Sequence, residues 1–237
     1  MGCNQQGGHV DIGKSFGYVF EDDKWVTKVL IGGLVSLIPI VNLAVIGYAL
    51  RTLKNVAEGQ ERPLPEWDDF GTFFVKGLLA VVAVLIYSIP VILLSALGGI
   101  ISGIASSGGQ DVSGAAGLCV ASLSCLSVLY AIVLALWLPA TAVEYAMAGD
   151  FGAFFRFGEA WGLISHNLGG YIVALVIAWL ASMIAGLVGA VLCLVGTLFT
   201  SFWATLVAVH LLGQLRRETI VAPPAVPIEP TRPDAAL

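Results

Sequence analysis

His210, Glu144 and Asn42 are the polar side chains most capable of chemistry within the apolar stretches of this sequence. An intramembrane histidine could ligate the metal of a haem or chlorophyll, and an intramembrane carboxylate often marks a proton or ion route. Structural explanations compete with both. His210 has no second histidine at useful spacing, which favours a packing residue, and Glu144 is shallow enough to be solvated. Asn42 stands beside Pro39 and could satisfy backbone groups freed by a kink.

No other constellation indicates catalysis. The sequence offers no nucleophile–base pair, phosphate loop or metal-ligand cluster, so we predict a protein without enzymatic activity, cofactor or metal. The four cysteines form no CxxC motif, and three of them lie in apolar runs where a thiol acts as a small apolar side chain.

The composition shows which elements must position these residues. Charged residues make up 11% of the 237, against about 25% in soluble domains. Hydrophobic residues make up 58%, and the mean hydropathy is +0.92. This excludes an ordinary cytosolic enzyme, a nucleic-acid binder and a disordered protein. We predict an all-α integral membrane protein in contact with lipid.

The segregation of charge predicts the number of membrane spans. Residues 29–50 and 160–215 carry no charge, and residues 77–143 carry one, Asp111. At roughly 20 residues per span, these stretches hold about five transmembrane helices. The expected spans are 25–53, 77–104, 117–147 and two within 169–212 that turn between Gly186 and Gly196.

The first span has two interpretations because Pro39 removes a backbone donor near its middle. We favour a single kinked crossing. The alternative is a re-entrant pair, since each half alone is too short to cross the ~30 Å hydrocarbon core. This choice decides the side on which the N-terminus lies.

The basic residues predict the orientation. Loops 54–76 and 148–168 and the C-terminus carry the Lys and Arg that mark the cytoplasmic side of a multi-pass protein of the cell membrane. A single kinked crossing would place the N-terminus outside, although Lys14, Lys24 and Lys28 oppose this. We divide the chain into a polar N-terminal segment (1–25), a helical membrane domain (26–217) and a Pro-rich tail (218–237).

A short motif occurs twice, as DDFGTFF at 68–74 and as GDFGAFF at 149–155. Each copy precedes a pair of spans, which suggests a parallel internal duplication. We predict that each copy forms a cytoplasmic-side interfacial helix, with an acidic N-cap and aromatic rings at the headgroup level. Such helices could also dock a partner. The candidate interface residues are Trp67, Asp68, Asp69, Phe70, Phe73, Phe74, Asp150, Phe151, Phe154, Phe155, Arg156 and Trp161.

The run GYALRTLKNVAEGQERPLPEWDDFGTFFVKGL (Gly47 to Leu78) resembles domain-of-unknown-function family 4013, a group of prokaryotic multi-span membrane proteins. The segment from Cys193 to Arg217 is similar to the last helix of that family. PLPEWDDFG (Pro63 to Gly71) is the most specific part of the match. The resemblance implies a helical membrane fold and no established activity.

These observations lead to three functional hypotheses. We favour a non-enzymatic accessory or scaffold subunit of a membrane complex, because we expect no buried ionisable residues and because the cytoplasmic surface elements and the tail could bind partners. Its partners would be other membrane proteins or further copies of the chain. The many small residues allow close helix approach, either within the chain or between copies. The alternative is a permease or channel for a small solute or lipid, with Asn42 and Glu144 as possible intramembrane polar sites. The third is a pigment- or haem-binding subunit that uses His210.

Overall fold

The computed structural model describes residues 11–106 and 110–221, and every regular element in this part of the chain is helical. The α-helices are α1 (Ile12–Gly17), α2 (Trp25–Leu37), α3 (Leu43–Ala57), α4 (Phe70–Ser106), α5 (Gln110–Ala148), α6 (Phe157–His166), α7 (Leu168–Val191) and α8 (Cys193–Val221). Short 3-10 helices occupy Tyr18–Glu21 and Phe151–Phe155. The predicted all-α membrane fold is confirmed. The Pro-rich tail beyond residue 221 lies outside the described residues.

Four helices are long and apolar enough to cross a membrane, namely α4, α5 over Ala116–Ala148, α7, and α8 over Gly196–Ile220. They form two consecutive hairpins, α4–α5 and α7–α8. Leu192 separates α7 from α8, within the predicted turn interval. A Cβ added to Gly189 would overlap the backbone of Thr197, so α7 and α8 approach closely at their shared end.

The fifth apolar segment is the pair α2–α3, which residues 38–42 separate into helices of 13 and 15 residues. Lys28 in α2 donates to the carbonyl of Leu64, in the loop that follows α3, at 2.9 Å. The start of α2 and the end of α3 therefore lie at the same end of the molecule. These contacts are those of the re-entrant alternative and not of the single kinked crossing that we favoured. Pro39 and the left-handed Ile40 (φ 73°) break the helix completely where a kink was expected.

Residues 11–21 therefore lie at the same end of the bundle as the loop after α3, whereas a single crossing would place them at the opposite end. Residues 11–21 run along α8, with Tyr18 donating to the carbonyl of Leu206 at 3.0 Å and Asp11 bonded to Gln214. Tyr18 and Val19 are fully buried. The segment treated as polar from its sequence thus contributes to the core.

Helices α3 and α4 pack with their backbones close together at Gly47 and Gly77. A Cβ on Gly47 would fall on the carbonyl of Phe73, and one on Gly77 would fall on the carbonyl of Leu43. Both glycines therefore permit a backbone separation that no larger residue allows. This packing fixes the start of α4 against α3.

The two motif copies differ in structure. The second copy forms a 3-10 helix and leads into the separate helix α6, whereas Phe70 of the first copy begins α4 itself. The expectation of a separate interfacial helix at 68–74 is wrong. In the first copy, helix α4 continues past Phe74 without interruption. In the second copy, the backbone of Arg156 is not helical (φ −82°, ψ 74°), so the 3-10 helix ends there.

Candidate functional site

Every Lys and Arg of the described residues lies at one end of the bundle, which we call the basic end. Contacts link these residues across distant segments: Lys24 and Lys28 pair with Glu66, and Arg217 adjoins Gly59. The re-entrant pair places Lys14, Lys24 and Lys28 at this end, so the conflict noted in the sequence disappears. The charged residues, acidic as well as basic, are therefore concentrated at this end of the bundle, and its cytoplasmic placement stays a prediction.

The PLPEW loop (residues 63–67) is held at the basic end by its own backbone carbonyls. Three consecutive carbonyls each accept a hydrogen bond from a different side chain. Asn55 Nδ2 donates to Pro63 at 2.8 Å, Lys28 Nζ to Leu64 at 2.9 Å, and Tyr48 Oη to Pro65 at 2.9 Å. Because prolines have no N–H, this loop cannot form a regular backbone ladder, and the side-chain donors replace it.

Trp67 closes the PLPEW loop against the helices. Its ring stacks on Tyr48 with centroids 4.3 Å apart and planes at 15°. Its Nε1 donates to the carbonyl of Lys28 at 3.1 Å. Trp67 is therefore held by intramolecular contacts on one ring face and at its only donor, which limits its use in docking a partner.

A buried ion pair anchors α2 beneath this loop. Lys28 Nζ lies 2.8 Å from Asp22 Oδ2, with both side chains less than 10% exposed. Burial alone raises the pKa of Asp22, but the Lys28 hydrogen bond and the nearby charges offset it, so the pKa lies below its ordinary value. Asp22 thus stays ionised as the partner of Lys28.

A charged cleft of about 380 Å³ opens beside the PLPEW loop. Its wall includes the cations Arg51, Arg62 and Lys76 and the carboxylates Glu66, Asp68 and Asp69. Asp69 Oδ1 accepts from the backbone N–H of Thr72 at 3.4 Å and so caps α4, as predicted for the first motif copy. The cleft brings together Arg51 and Lys76, which are 25 positions apart in the sequence.

Glu144 is 2% exposed and is not solvated as the sequence suggested. Arg216 from α8 contacts both of its oxygens, with Nη1–Oε1 at 3.1 Å and Nη2–Oε2 at 3.2 Å. One of these contacts, from Nη2 to Oε2, is a hydrogen bond, and the ion pair joins the ends of α5 and α8. The pair fixes two helices together at the basic end.

His210 lies in a hydrogen-bonded cluster between α1 and α8. Its Nδ1 is 2.9 Å from both Ser15 Oγ and Gln214 Nε2, and Tyr18 stacks on the ring at 4.1 Å. Gln214 donates from Nε2, so Nδ1 accepts and the ring proton resides on Nε2. The arrangement matches the packing explanation for His210.

Asn42 lies at the exposed turn between α2 and α3, and its side chain makes no capping hydrogen bond. It does not line the charged cleft. Neighbouring Ile40 is 70% exposed, so the turn presents an apolar surface. Asn42 and Glu144 are therefore not brought together into one polar site.

The aromatic candidates divide into buried and exposed sets. The central ring of each motif copy, Phe73 or Phe154, is buried and packs on a tyrosine of an earlier helix, Tyr48 or Tyr145. These two rings do not lie at the headgroup level as expected. The remaining phenylalanines are exposed or half-buried, and Trp161 is 62% exposed. The expected acidic cap is also missing from the second copy, where the Asp150 side chain caps nothing and lies 3.5 Å from Arg156.

Several residues that build this end were not identified from the sequence. Lys28, Tyr48 and Asn55 bind the PLPEW loop, yet each looks ordinary within its helix. The prolines of the loop could have indicated such residues. A proline-rich loop has few backbone N–H groups, so its carbonyls must accept hydrogen bonds from other segments. The positions of those donors depend on the α2–α3 turn, which the sequence left open.

Helices of this length and apolarity, with all described basic residues at one end, define a polytopic helical membrane protein. The family model described as protein of unknown function (DUF4013) matches residues 31–194, which is more than half of the chain. The chain belongs to this family. The match includes the PLPEW loop and ends at the start of α8. No curated protein and no solved structure matches the chain.

Proposed function

We propose that this protein is a non-enzymatic accessory or scaffold subunit that assembles with other helices within the membrane through its α4–α5 hairpin. The observation that carries the proposal is the lack of burial along this hairpin. The most apolar 18-residue window of α5 has none of its residues buried, compared with 56% of the corresponding window in α8. Much of α4–α5 thus lacks protein neighbours within this chain.

The exposed hairpin also carries small residues at the spacing used for helix association. Gly99 and Gly103 in α4 form a GxxxG motif, and Gly117, Ala121 and Cys125 continue the same four-residue spacing in α5. A Cβ added to Gly99, Gly103 or Gly117 would meet nothing within 4 Å. These glycines are therefore not needed for close packing inside the chain. Each one nevertheless lowers the stability of its helix by about 1 kcal/mol relative to alanine. Close packing against a helix of another chain would explain why glycine occupies these positions.

The assembly state of the protein in mild detergent or native nanodiscs tests this proposal. We expect the wild-type chain to travel as a complex, either with itself or with another membrane protein. Gly103→Leu should reduce the complex because the leucine side chain keeps neighbouring helices apart. The matched control is Gly186→Leu in α7, where an added Cβ also meets nothing. A wild-type protein that is only a lone monomer contradicts the proposal.

The other two hypotheses stay predictions without a supporting observation. A permease would use a polar path through Asn42, which lies on the outer surface of the α2–α3 turn. A haem or pigment would bind His210 through Nε2, because Nδ1 is engaged by Ser15 and Gln214. An absorption spectrum of the native protein tests the pigment hypothesis directly.

A further inference from the structure

The charged cleft beside the PLPEW loop contains two cations whose charge is not used elsewhere. Among the described residues, neither Arg51 of α3 nor Lys76 of α4 belongs to an ion pair. The other charges of the cleft have partners outside it, since Arg62 pairs with Asp23 and Glu66 pairs with lysines of α2. The wall formed by α3 and α4 is therefore left with excess positive charge.

Like charges are concentrated on this wall. Arg51 and Lys54 both act electrostatically on Lys76, and Asp69 partly offsets them. Lys54 also has a 3.8 Å contact with Glu58 and donates to the carbonyl of Met147 at 3.5 Å. Bringing three cations together is unfavourable unless an anion joins them. A phosphate group, with several acceptor oxygens, satisfies both a guanidinium and an ammonium at once.

The start of α4 adds negative charge to the lining of the cleft. Asp68 has no hydrogen bond or ion pair within the part of the chain that the structure describes. Its neighbour Asp69 uses one oxygen to cap α4. A ligand that fits both sets of charges must carry a cationic donor next to its phosphate.

The cleft also lies where lipid headgroups are found. Lys76 is the last charged residue before the apolar stretch 77–143, so it marks the border of the hydrocarbon core on α4. The volume of about 380 Å³ falls within the range of small-ligand sites, ~300–1,000 Å³. Basic pockets between membrane helices bind lipid headgroups by the same physics.

We propose that this cleft binds the headgroup of a phospholipid that carries a primary amine. The phosphate contacts Arg51 and Lys76, and the ammonium group donates to Asp68 and the free oxygen of Asp69. Such a lipid would tie α3, α4 and the PLPEW loop to the membrane surface. The assignment uses Arg51, Lys76 and Asp68, which have no ion pair among the described residues, and the oxygen of Asp69 that does not cap α4.

Lipid retention in nanodiscs tests the proposal. The full chain is reconstituted with equal parts of phosphatidylethanolamine, phosphatidylcholine and phosphatidylglycerol, and the lipids that remain bound are counted by native mass spectrometry. We expect phosphatidylethanolamine to be enriched, because phosphatidylglycerol has no amine and the quaternary ammonium of phosphatidylcholine cannot donate a hydrogen bond. Retention of all three lipids in equal amounts overturns the proposal.

Substitutions locate the binding. Arg51→Ala and Lys76→Ala should each lower retention about fivefold, the effect of one basic residue at a membrane surface. Asp68→Asn should remove the preference for phosphatidylethanolamine while phosphate binding persists. Arg217→Ala is the matched control, since Arg217 lies at the basic end but outside the cleft. An equal loss in Arg217→Ala would show general surface attraction and would refute the assignment.

Two further measurements distinguish loss of the site from loss of folding, and a lipid from a soluble ligand. Arg51→Lys keeps the charge and should retain most of the binding, which separates loss of the site from loss of folding. Free O-phosphoethanolamine has the same polar groups as the lipid but no acyl chains. If it displaces the bound lipid when present only in an amount equal to the lipid, the acyl chains add nothing to binding, the site serves a soluble ligand and the lipid assignment is wrong.

Discussion

Replacing Lys28 by methionine should cause one of the largest losses of stability available to a single substitution in this chain. The lysine side chain is 6% exposed and contacts Asp22 at 2.8 Å, the carbonyl of Leu64 at 2.9 Å and Glu66 at 3.3 Å. Methionine has nearly the same volume but leaves Asp22 as a buried charge without its partner. Breaking a buried pair in this way costs about 3–5 kcal/mol.

The measurement is the free energy of unfolding in mixed detergent micelles at neutral pH. Lys24→Met is the matched control, because Lys24 is 67% exposed and its 3.4 Å contact with Glu66 is a surface pair. Such pairs contribute roughly 0–1 kcal/mol. The double variant Lys28→Met with Asp22→Asn should recover part of the loss, since it removes both charges.

Acidification gives an independent test of the same pair. In the wild type the pKa of Asp22 is lowered, so its contribution is present above its ordinary value near 3.8 and is lost as the pH falls through the lower folded value. In Lys28→Met, burial favours the neutral acid and the pKa is raised, so the variant gains stability as the pH falls. The gap between the two proteins should narrow with acidification until the wild type reaches its own pKa. A gap that matches Lys24→Met, or one that widens in acid, would refute this account of the pair.

Three other outcomes are expected. Gly47→Ala should destabilise the protein by about 1–3 kcal/mol or more because the new methyl group meets a backbone carbonyl; Gly99→Ala, which meets nothing, should leave the thermal midpoint unchanged or raise it. Tyr48→Phe keeps the stacked ring but loses a buried hydrogen bond to the PLPEW loop, so we expect a loss of about 1–3 kcal/mol in the same unfolding assay. Thiols introduced singly at Glu21 and Glu61 should react with an impermeant reagent from the same side of a sealed membrane. Labelling from opposite sides would support the single crossing.

Much of the fold was predictable because lipid imposes simple constraints on sequence. Charge-free stretches of sufficient length gave the spans of α4, α5, α7 and α8, and the glycine-bounded turn near residue 192 fell where expected. The first apolar segment was harder. Proline predicts a disruption of the helix, but whether the chain continues or returns depends on what the second half packs against. Here that contact is α8, about 150 residues later in the sequence.

The site was less predictable than the fold for a related reason. The PLPEW loop was recognised as specific, and Asp69 was expected to cap a helix, as it does. Burial of Glu144 could not be foreseen, because its partner Arg216 belongs to another helix. The second aromatic motif forms a short helix of its own because the backbone of Arg156 is not helical, whereas the first motif is part of α4. Local sequence patterns predicted helices and their caps. Which charged residues form pairs depends on how the helices pack together, and this could not be predicted from the sequence.

The attachment of the N-terminal residues to α8 has a consequence for how the protein is made. Ser15, Tyr18 and Gly32 contact His210, Leu206 and Phe202, which are synthesised about 170 residues or more after them. Residues 11–32 leave the ribosome before α8 and reach their final packing only after α8 has been made. Translation that stops before α8 would therefore leave residues 11–32 without these packing partners.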